Sequence, residues 1–233
     1  MRNYLLMLIV MLVCAGCGEA EKQNRTVVKK TVVTQPVLKV YNMGGAPQNI
    51  VMQLTERLKD VYDNTVFAGD LPLVDSALIK NDRKGQGRYW NSVMMNRMKK
   101  ITNRKKEISL VVVNGEICNW TKNGSHANLG MSLLGSHISL VSYKRLKVNR
   151  LDNVDDMLKV AIHELGHSVG ALVKGRKDLR FHCPDNKCMM FDASNKYPYR
   201  NISGFCNSCD SVMHARGFKT EYLKNFSILV NTL

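Results

Sequence analysis

The ten residues Ala161-Ile162-His163-Glu164-Leu165-Gly166-His167-Ser168-Val169-Gly170 place the motif His-Glu-x-x-His inside an apolar run. On an α-helix, residues four apart lie on the same face, so His163 and His167 can present two imidazoles to one metal ion. In zinc hydrolases the ion lowers the pKa of a bound water toward ~7, and a glutamate takes the proton as that water attacks a carbonyl. The motif therefore predicts a catalytic zinc site with Glu164 as the general base.

The residues around the motif favour a helix that begins about ten positions before it. Asx residues at 152, 153, 155 and 156 suit a helix cap and an acidic first turn. A core helix that carries two histidines by chance is the alternative interpretation. The apolar residues that recur at helical spacing are Val154, Leu158, Ala161, Ile162, Leu165, Val169 and Leu172.

The length of 233 residues fits one domain with a single core and is too short for two full domains. The net charge of +15 would attract anionic lipid, glycan or nucleic acid. Because no nucleic-acid-binding motif accompanies the charges, we interpret them as solvated surface and expect no specific nucleic-acid partner. A further hypothesis is a basic surface protein that is recruited to an anionic polymer and whose zinc is only structural.

Residues 1–17 have the pattern of an export signal, with an apolar stretch at 5–13 and small residues before Cys17. The apolar stretch is too short for a permanent membrane span. The segment resembles a bacterial lipoprotein signal, whose cleavage would leave Cys17 as a lipid-modified N-terminus at the cell envelope. An ordinary secretory signal or an uncleaved anchor is the alternative. Residues 18–36 are polar and basic, and predict a flexible tether to the membrane.

The domain predicted at 37–233 begins with alternating strands and helices. This order predicts an α/β (α+β) domain with a largely parallel sheet. We expect the last strand before the motif helix to be an edge strand that can pair with an extended peptide. His126 and His137 are interpreted as ordinary loop and strand residues. The predicted elements are strands at 37–40, 65–68, 108–113 and 137–142, helices at 49–62 and 89–101, a connection at 77–87 and a loop at 119–135.

A catalytic zinc needs a third protein ligand, and His182 is the predicted one. If His182 does not bind, the candidates to replace it are Asp178, Asp192 and Glu221.

Four cysteines follow the motif with the spacings C-x4-C and C-x2-C. Cys183, Cys188, Cys206 and Cys209 predict a closed structural zinc site that stabilises a small subdomain. Two disulfides are the alternative, because an exported chain meets oxidising conditions.

Taken together, these motifs resemble the archaemetzincins, zinc metallopeptidases of the metzincin clan. The resemblance implies a metzincin fold, with a twisted mixed sheet, an active-site helix and a C-terminal zinc-binding subdomain. It also implies that Met190 forms the Met-turn, a packing surface beneath the histidines and not a ligand. The matching segments are residues 163–170, His182-Cys183, Cys188-Met189-Met190 and Cys206-Asn207-Ser208-Cys209.

The chain departs from the metzincin pattern after Gly170. Eleven residues, 171–181, separate Gly170 from His182, where metzincins have two. Residues 171–175 could extend the helix by one turn to a C-cap at Gly175. The span from Met190 to Cys206 is slightly shorter than in the family.

We therefore expect a monomeric, membrane-tethered zinc metallopeptidase with two zinc ions and a peptide or protein substrate. Tyr197 or Tyr199 is a candidate to stabilise the oxyanion. The alternative is a non-catalytic zinc-binding surface lipoprotein that retains the metzincin fold.

Overall fold

The computed structural model describes residues 35–75, 88–121, 124–151, 153–171, 182–192 and 202–224. The predicted signal at 1–17, its Cys17 and almost all of the predicted tether lie outside these ranges, as do Asp178, Tyr197 and Tyr199. In the described ranges, no helix combines the length and the apolar character that a membrane crossing requires.

The described residues form eight strands and six helices. In chain order these are β1 (Val37–Met43), α1 (Gln48–Val61), β2 (Thr65–Leu71), β3 (Arg88–Trp90), α2 (Asn91–Ile101), β4 (Glu107–Val113), β5 (Glu116–Thr121), β6 (Gly124–Asn128), β7 (Gly130–Ser132), β8 (Ile138–Ser142), α3 (Tyr143–Val148), α4 (Val154–Val169), α5 (Asn207–Ala215) and α6 (Glu221–Lys224).

The main sheet has five strands in the order β2-β1-β4-β8-β7. The first four strands run parallel, and β7 pairs antiparallel with β8 at the edge. Strand β4 is β-branched and almost wholly buried, as expected for the centre of a sheet covered on both faces. The predicted mixed α/β sheet is confirmed.

The edge of this sheet is not where the sequence placed it. Strand β8 lies between β4 and β7, so the predicted edge strand at 137–142 is internal, and β7 is the edge strand among the described residues. The segment predicted as a loop at 119–135 contains β6, β7 and the end of β5. Its Gly, Asn and Ser residues have low strand propensity, and pairing with neighbouring strands overrides that propensity here.

A second sheet has the order β3-β5-β6, with β3 parallel and β6 antiparallel to β5. Its first strand includes Tyr89 and Trp90, which the sequence assigned to a helix. Helix α2 begins only at Asn91.

Side chains alternate between the two faces of the main sheet, so each face has its own core. Leu38, Val40 and Leu110 pack in the cluster that contains α1 and the motif helix α4. Val111 and Val113 pack on the other face with the methionines of α2. Met94 and Met98 are fully buried there, as expected if they serve packing.

Helix α4, which carries the motif, has a defined cap at each end. The Asn153 side chain accepts a hydrogen bond from the backbone N–H of Asp156 at 2.8 Å and thereby caps the N-terminus. The helix ends at Gly170, whose φ of 79° is in the left-handed region that glycine adopts readily. The expected extension to Gly175 therefore does not occur, and residues 172–181 lie outside the described ranges.

Candidate functional site

Three histidines from two segments converge on one point. Helix α4 supplies His163 and His167, and the segment at 182–192 supplies His182. One ligand atom of each lies within 4.8 Å of the others. The Nε2 atoms of His163 and His167 are 3.0 Å apart. Tetrahedral coordination with Zn–N bonds of about 2.0–2.1 Å requires N···N separations of about 3.3–3.4 Å, so the imidazoles fit a zinc ion.

A backbone contact determines which ring nitrogen of His163 can bind a metal ion. His163 Nδ1 lies 2.7 Å from the carbonyl oxygen of Met189. A carbonyl only accepts, so Nδ1 carries the hydrogen and donates it. The lone pair of Nε2 then points toward His167, as in metal sites where the second ring nitrogen is held by an outer partner.

All three imidazoles are held in the neutral form that a metal requires. Burial lowers the pKa of His163 to about 4. Burial, together with the neighbouring His163 and His182, lowers the pKa of His167 to about 2. The pKa of His182 is also lowered by burial, while Asp192 opposes the shift. Uncharged imidazoles gathered in a buried site favour a cation.

Of the other candidate third ligands, Asp192 and Glu221 are in the described ranges, and neither joins the histidine group. Asp192 lies beside His182, with its Oδ2 3.9 Å from Nδ1, and is half exposed. It is therefore placed to orient the ring of His182. Glu221 begins helix α6 and is not part of the cluster.

Glu164 directly follows His163 on α4 and is buried, with 7% of the residue exposed. Burial raises the pKa of Glu164 to about 8, and a hydrogen bond from Ser132 opposes the increase. The Ser132 hydroxyl lies 2.9 Å from Glu164 Oε2. Gly130 lies against the same side chain, because a Cβ there would be 2.5 Å from Glu164 Cγ. Both contacts come from β7. They were not predicted from the sequence, because a Gly-x-Ser triplet does not indicate contact with a distant glutamate.

Met190 packs directly against helix α4. It is fully buried, and its sulfur lies 2.4 Å from where a Cβ on Gly166 would stand. The helix therefore needs glycine at 166 to admit this side chain. The contact fits the packing role predicted for Met190.

The four cysteines form a second group. Their sulfur atoms lie within 4.8 Å of one another, and those of Cys183 and Cys206 are 3.6 Å apart. No cysteine in the described ranges forms a disulfide, so the structure does not contain the two alternative disulfides. Four thiolates around zinc, with Zn–S bonds of about 2.3 Å, have S···S separations of about 3.8 Å, so the group fits a structural zinc ion.

Electrostatics in this group favour a thiolate at Cys188. The pKa of Cys188 is lowered to about 6, first by a hydrogen bond from Cys209 and then by backbone N–H groups. Those N–H groups belong to Cys206, at 3.3 Å, and Met190, at 3.5 Å. Burial raises the pKa of Cys183 to about 11. A bound cation would stabilise the thiolate form of all four.

One short segment connects the two groups. His182 and Cys183 are adjacent, and the Cys183 N–H donates to the carbonyl of Met190 at 2.7 Å. Cys188 directly precedes Met189, which accepts the hydrogen bond of His163. The segment 182–191 therefore belongs to both candidate metal sites.

Comparison by sequence gives no match to a protein-family model or to a curated protein. Comparison by structure gives clear matches. The archaemetzincin of Methanopyrus kandleri aligns with a TM-score of 0.57 and 18% identity, over 78% of this chain and 95% of that one. A zinc-dependent peptidase of Methanocorpusculum labreanum aligns with a TM-score of 0.57 and 16% identity, over 76% of this chain and 99% of that one.

The archaemetzincin of Archaeoglobus fulgidus, solved with malonate, has a TM-score of 0.55 and 17% identity, over 76% of this chain and 99% of the other. These alignments span nearly the whole length of all three structures. The fold of this chain is therefore archaemetzincin-like, as the motif resemblance predicted.

Proposed function

We propose that this chain is a zinc-dependent metallopeptidase. The observation that carries the proposal is the convergence of His163, His167 and His182, with the buried Glu164 next to His163 on the same helix. The likeness to zinc-dependent peptidases supports it.

The catalytic ion would be held by the three histidines. Zinc there supplies Lewis-acid chemistry, which lowers the pKa of water and polarises a peptide carbonyl. Glu164 is the general base that takes the proton from the attacking water and then passes it to the leaving amine.

The substrate would be a peptide or protein segment bound in extended form. Within the described part of the chain, strand β7 is at the edge of the sheet and pairs only with β8. An extended peptide can add to such an edge through backbone hydrogen bonds. Because Gly130 and Ser132 of the same strand contact Glu164, a peptide along β7 would pass beside the base.

A second zinc ion would be held by the four cysteines and would stabilise the segment at 182–206. It would be structural, since a four-thiolate site has no open position. Residues 1–17 support a lipid anchor at Cys17 and a location at the bacterial cell envelope. Replacement of Cys17 by serine should release the protein from membranes, and unchanged membrane association would contradict the anchor.

Substitution of the general base tests the proposed activity. The full chain, loaded with zinc, is incubated with a mixture of internally quenched peptides of randomised sequence. Glu164→Ala should lower kcat by at least about a hundredfold while zinc content is unchanged. Glu56→Ala is the control, because Glu56 is an exposed glutamate of α1 with no contact to the site. Equal cleavage by Glu164→Ala, or no cleavage by the wild type, would favour the non-catalytic zinc protein.

A further inference from the structure

We propose that strand β7 positions the Glu164 carboxylate, with Gly130 providing the space and Ser132 the hydrogen bond that set its orientation. The inference rests on the proposed peptidase function, because it concerns the base of that reaction. It makes Gly130 and Ser132 positioning residues for catalysis, besides their place in the sheet.

The space at Gly130 is specific to the Glu164 side chain. A Cβ at 130 would lie 2.5 Å from Cγ, 2.7 Å from Oε1 and 2.9 Å from Cδ of Glu164. Contacts that short do not occur in folded proteins, so the carboxylate would have to move. The φ angle of Gly130 is not positive, so its backbone conformation does not itself demand glycine. The close approach to Glu164 explains the glycine.

The hydroxyl of Ser132 is within reach of two atoms of Glu164. Its Oγ lies 2.9 Å from the carboxylate Oε2 and 2.7 Å from the backbone oxygen. It also lies 3.0 Å from the hydroxyl of Ser139 on β8. When Glu164 is ionised, the hydrogen bond from Ser132 to the carboxylate is the strongest of the three, because it is charge-assisted. Ser132 then donates its hydrogen bond to Oε2, and Oε1 is left to accept the proton of the attacking water.

The two contacts follow from the geometry of one strand. Residues two apart on a strand face the same side, so Gly130 and Ser132 both face Glu164. Strand β7 is held in register by β8, with Gly130 opposite Val141 and Ser132 opposite Ser139. The orientation of the base is thus determined by the same strand along which the peptide is proposed to bind.

Four variants test this inference in the full, zinc-loaded chain. Ser132→Ala removes the hydrogen bond, Ser132→Thr retains a hydroxyl, and Gly130→Ala fills the space. Ser109→Ala is the matched control, because Ser109 is a fully buried serine of β4 that bonds Thr102 and not Glu164. Zinc content and unfolding by urea are measured for each.

With the peptide mixture, Ser132→Ala and Gly130→Ala should lower kcat by about ten- to a hundredfold, with little change in KM. Ser132→Thr should recover much of the loss, and Ser109→Ala should match the wild type. Unchanged kcat in both Ser132→Ala and Gly130→Ala would overturn the inference. So would a loss in Ser109→Ala equal to that in Ser132→Ala, because a general effect on the sheet would then be the cause.

Acetohydroxamic acid provides a readout without turnover. Its two oxygens would bind a zinc ion held by the three histidines, which can expand to five-coordinate, while its hydroxyl proton would pass to a neighbouring carboxylate. Its affinity should fall about tenfold in Ser132→Ala and Gly130→Ala, at unchanged zinc content, and remain near the wild-type value in Ser132→Thr and Ser109→Ala. Equal affinity in all variants would overturn the inference. Peptide cleavage absent from the wild type would instead count against the proposed function, and the hydroxamate result would still decide the positioning role.

Discussion

His163 of helix α4 donates its Nδ1 hydrogen to the carbonyl oxygen of Met189 at 2.7 Å. Met189 follows Cys188, so this bond joins a candidate ligand of the catalytic zinc to the backbone beside a candidate ligand of the structural zinc. His182 and Cys183 form a second, covalent connection between the same two groups. The two candidate sites therefore share one supporting segment.

This connection predicts that damage to the cysteine group weakens metal binding at the histidines. Cys206→Ser alters neither the histidines nor the segment 182–191. It should nevertheless lower zinc affinity at the histidine site by about ten- to a hundredfold, as is typical when groups that hold the metal ligands in place are lost. The measurement is peptide cleavage and zinc per chain in zinc-buffered solutions. Cys118→Ser is the control, because Cys118 is a buried thiol of β5 outside the cluster. Equal affinities in wild type and Cys206→Ser would show that the sites are independent.

The packing of Met190 predicts that its variants differ in their free energy of unfolding. Met190→Ala should lower the free energy of unfolding by about 2–5 kcal/mol, because it leaves a cavity beneath Gly166. Met190→Leu conserves volume and should cost less than about 1.5 kcal/mol without loss of zinc, since the thioether is not a ligand. Urea unfolding and zinc content test both, with Met52→Ala as the exposed control at 37% exposure. Loss of zinc in Met190→Leu at intact stability would contradict a packing role.

The raised pKa of Glu164 predicts how the stability of the metal-free protein depends on pH. Burial raises this pKa from 4.5 to about 8, so between those values the folded state retains a proton that the unfolded chain loses. The stability that the protonated carboxyl contributes is fully present below pH 4.5 and is lost as the pH rises through about 8. In chelator, the wild type should therefore lose stability relative to Glu164→Gln between about pH 5 and about pH 8.5.

Urea unfolding of the two proteins at both pH values measures this difference. A constant difference between wild type and Glu164→Gln would mean that Glu164 is ionised in the metal-free protein. Added zinc should remove most of the pH dependence, because a cation near the carboxylate stabilises its charged form.

The ligand groups could be predicted from sequence because metal chemistry restricts both residue type and spacing. His163 and His167 are four apart on a helix, and the cysteine spacings suit a tetrahedral thiolate site. The separation of His182 from Gly170 by eleven residues did not prevent its prediction, because His182 stands next to Cys183. The structure brings all of these side chains into the two expected groups.

The support around Glu164 could not be predicted in the same way. Strand β7 is three residues long, and two of them, Gly130 and Ser132, have little preference for strands. Its existence depends on pairing with β8, which is a tertiary effect. The end of helix α4 was also ambiguous, because a glycine stands at both 170 and 175 and either can adopt a left-handed C-cap.

Zinc content per chain tests the central claim most directly. The full chain is purified with its thiols protected from air, beside His182→Ala and the control His214→Ala, whose histidine is exposed on α5. About two zinc ions are expected in the wild type and the control, and about one in His182→Ala under mild chelation. Equal zinc content in all three proteins would contradict a catalytic zinc held by His163, His167 and His182.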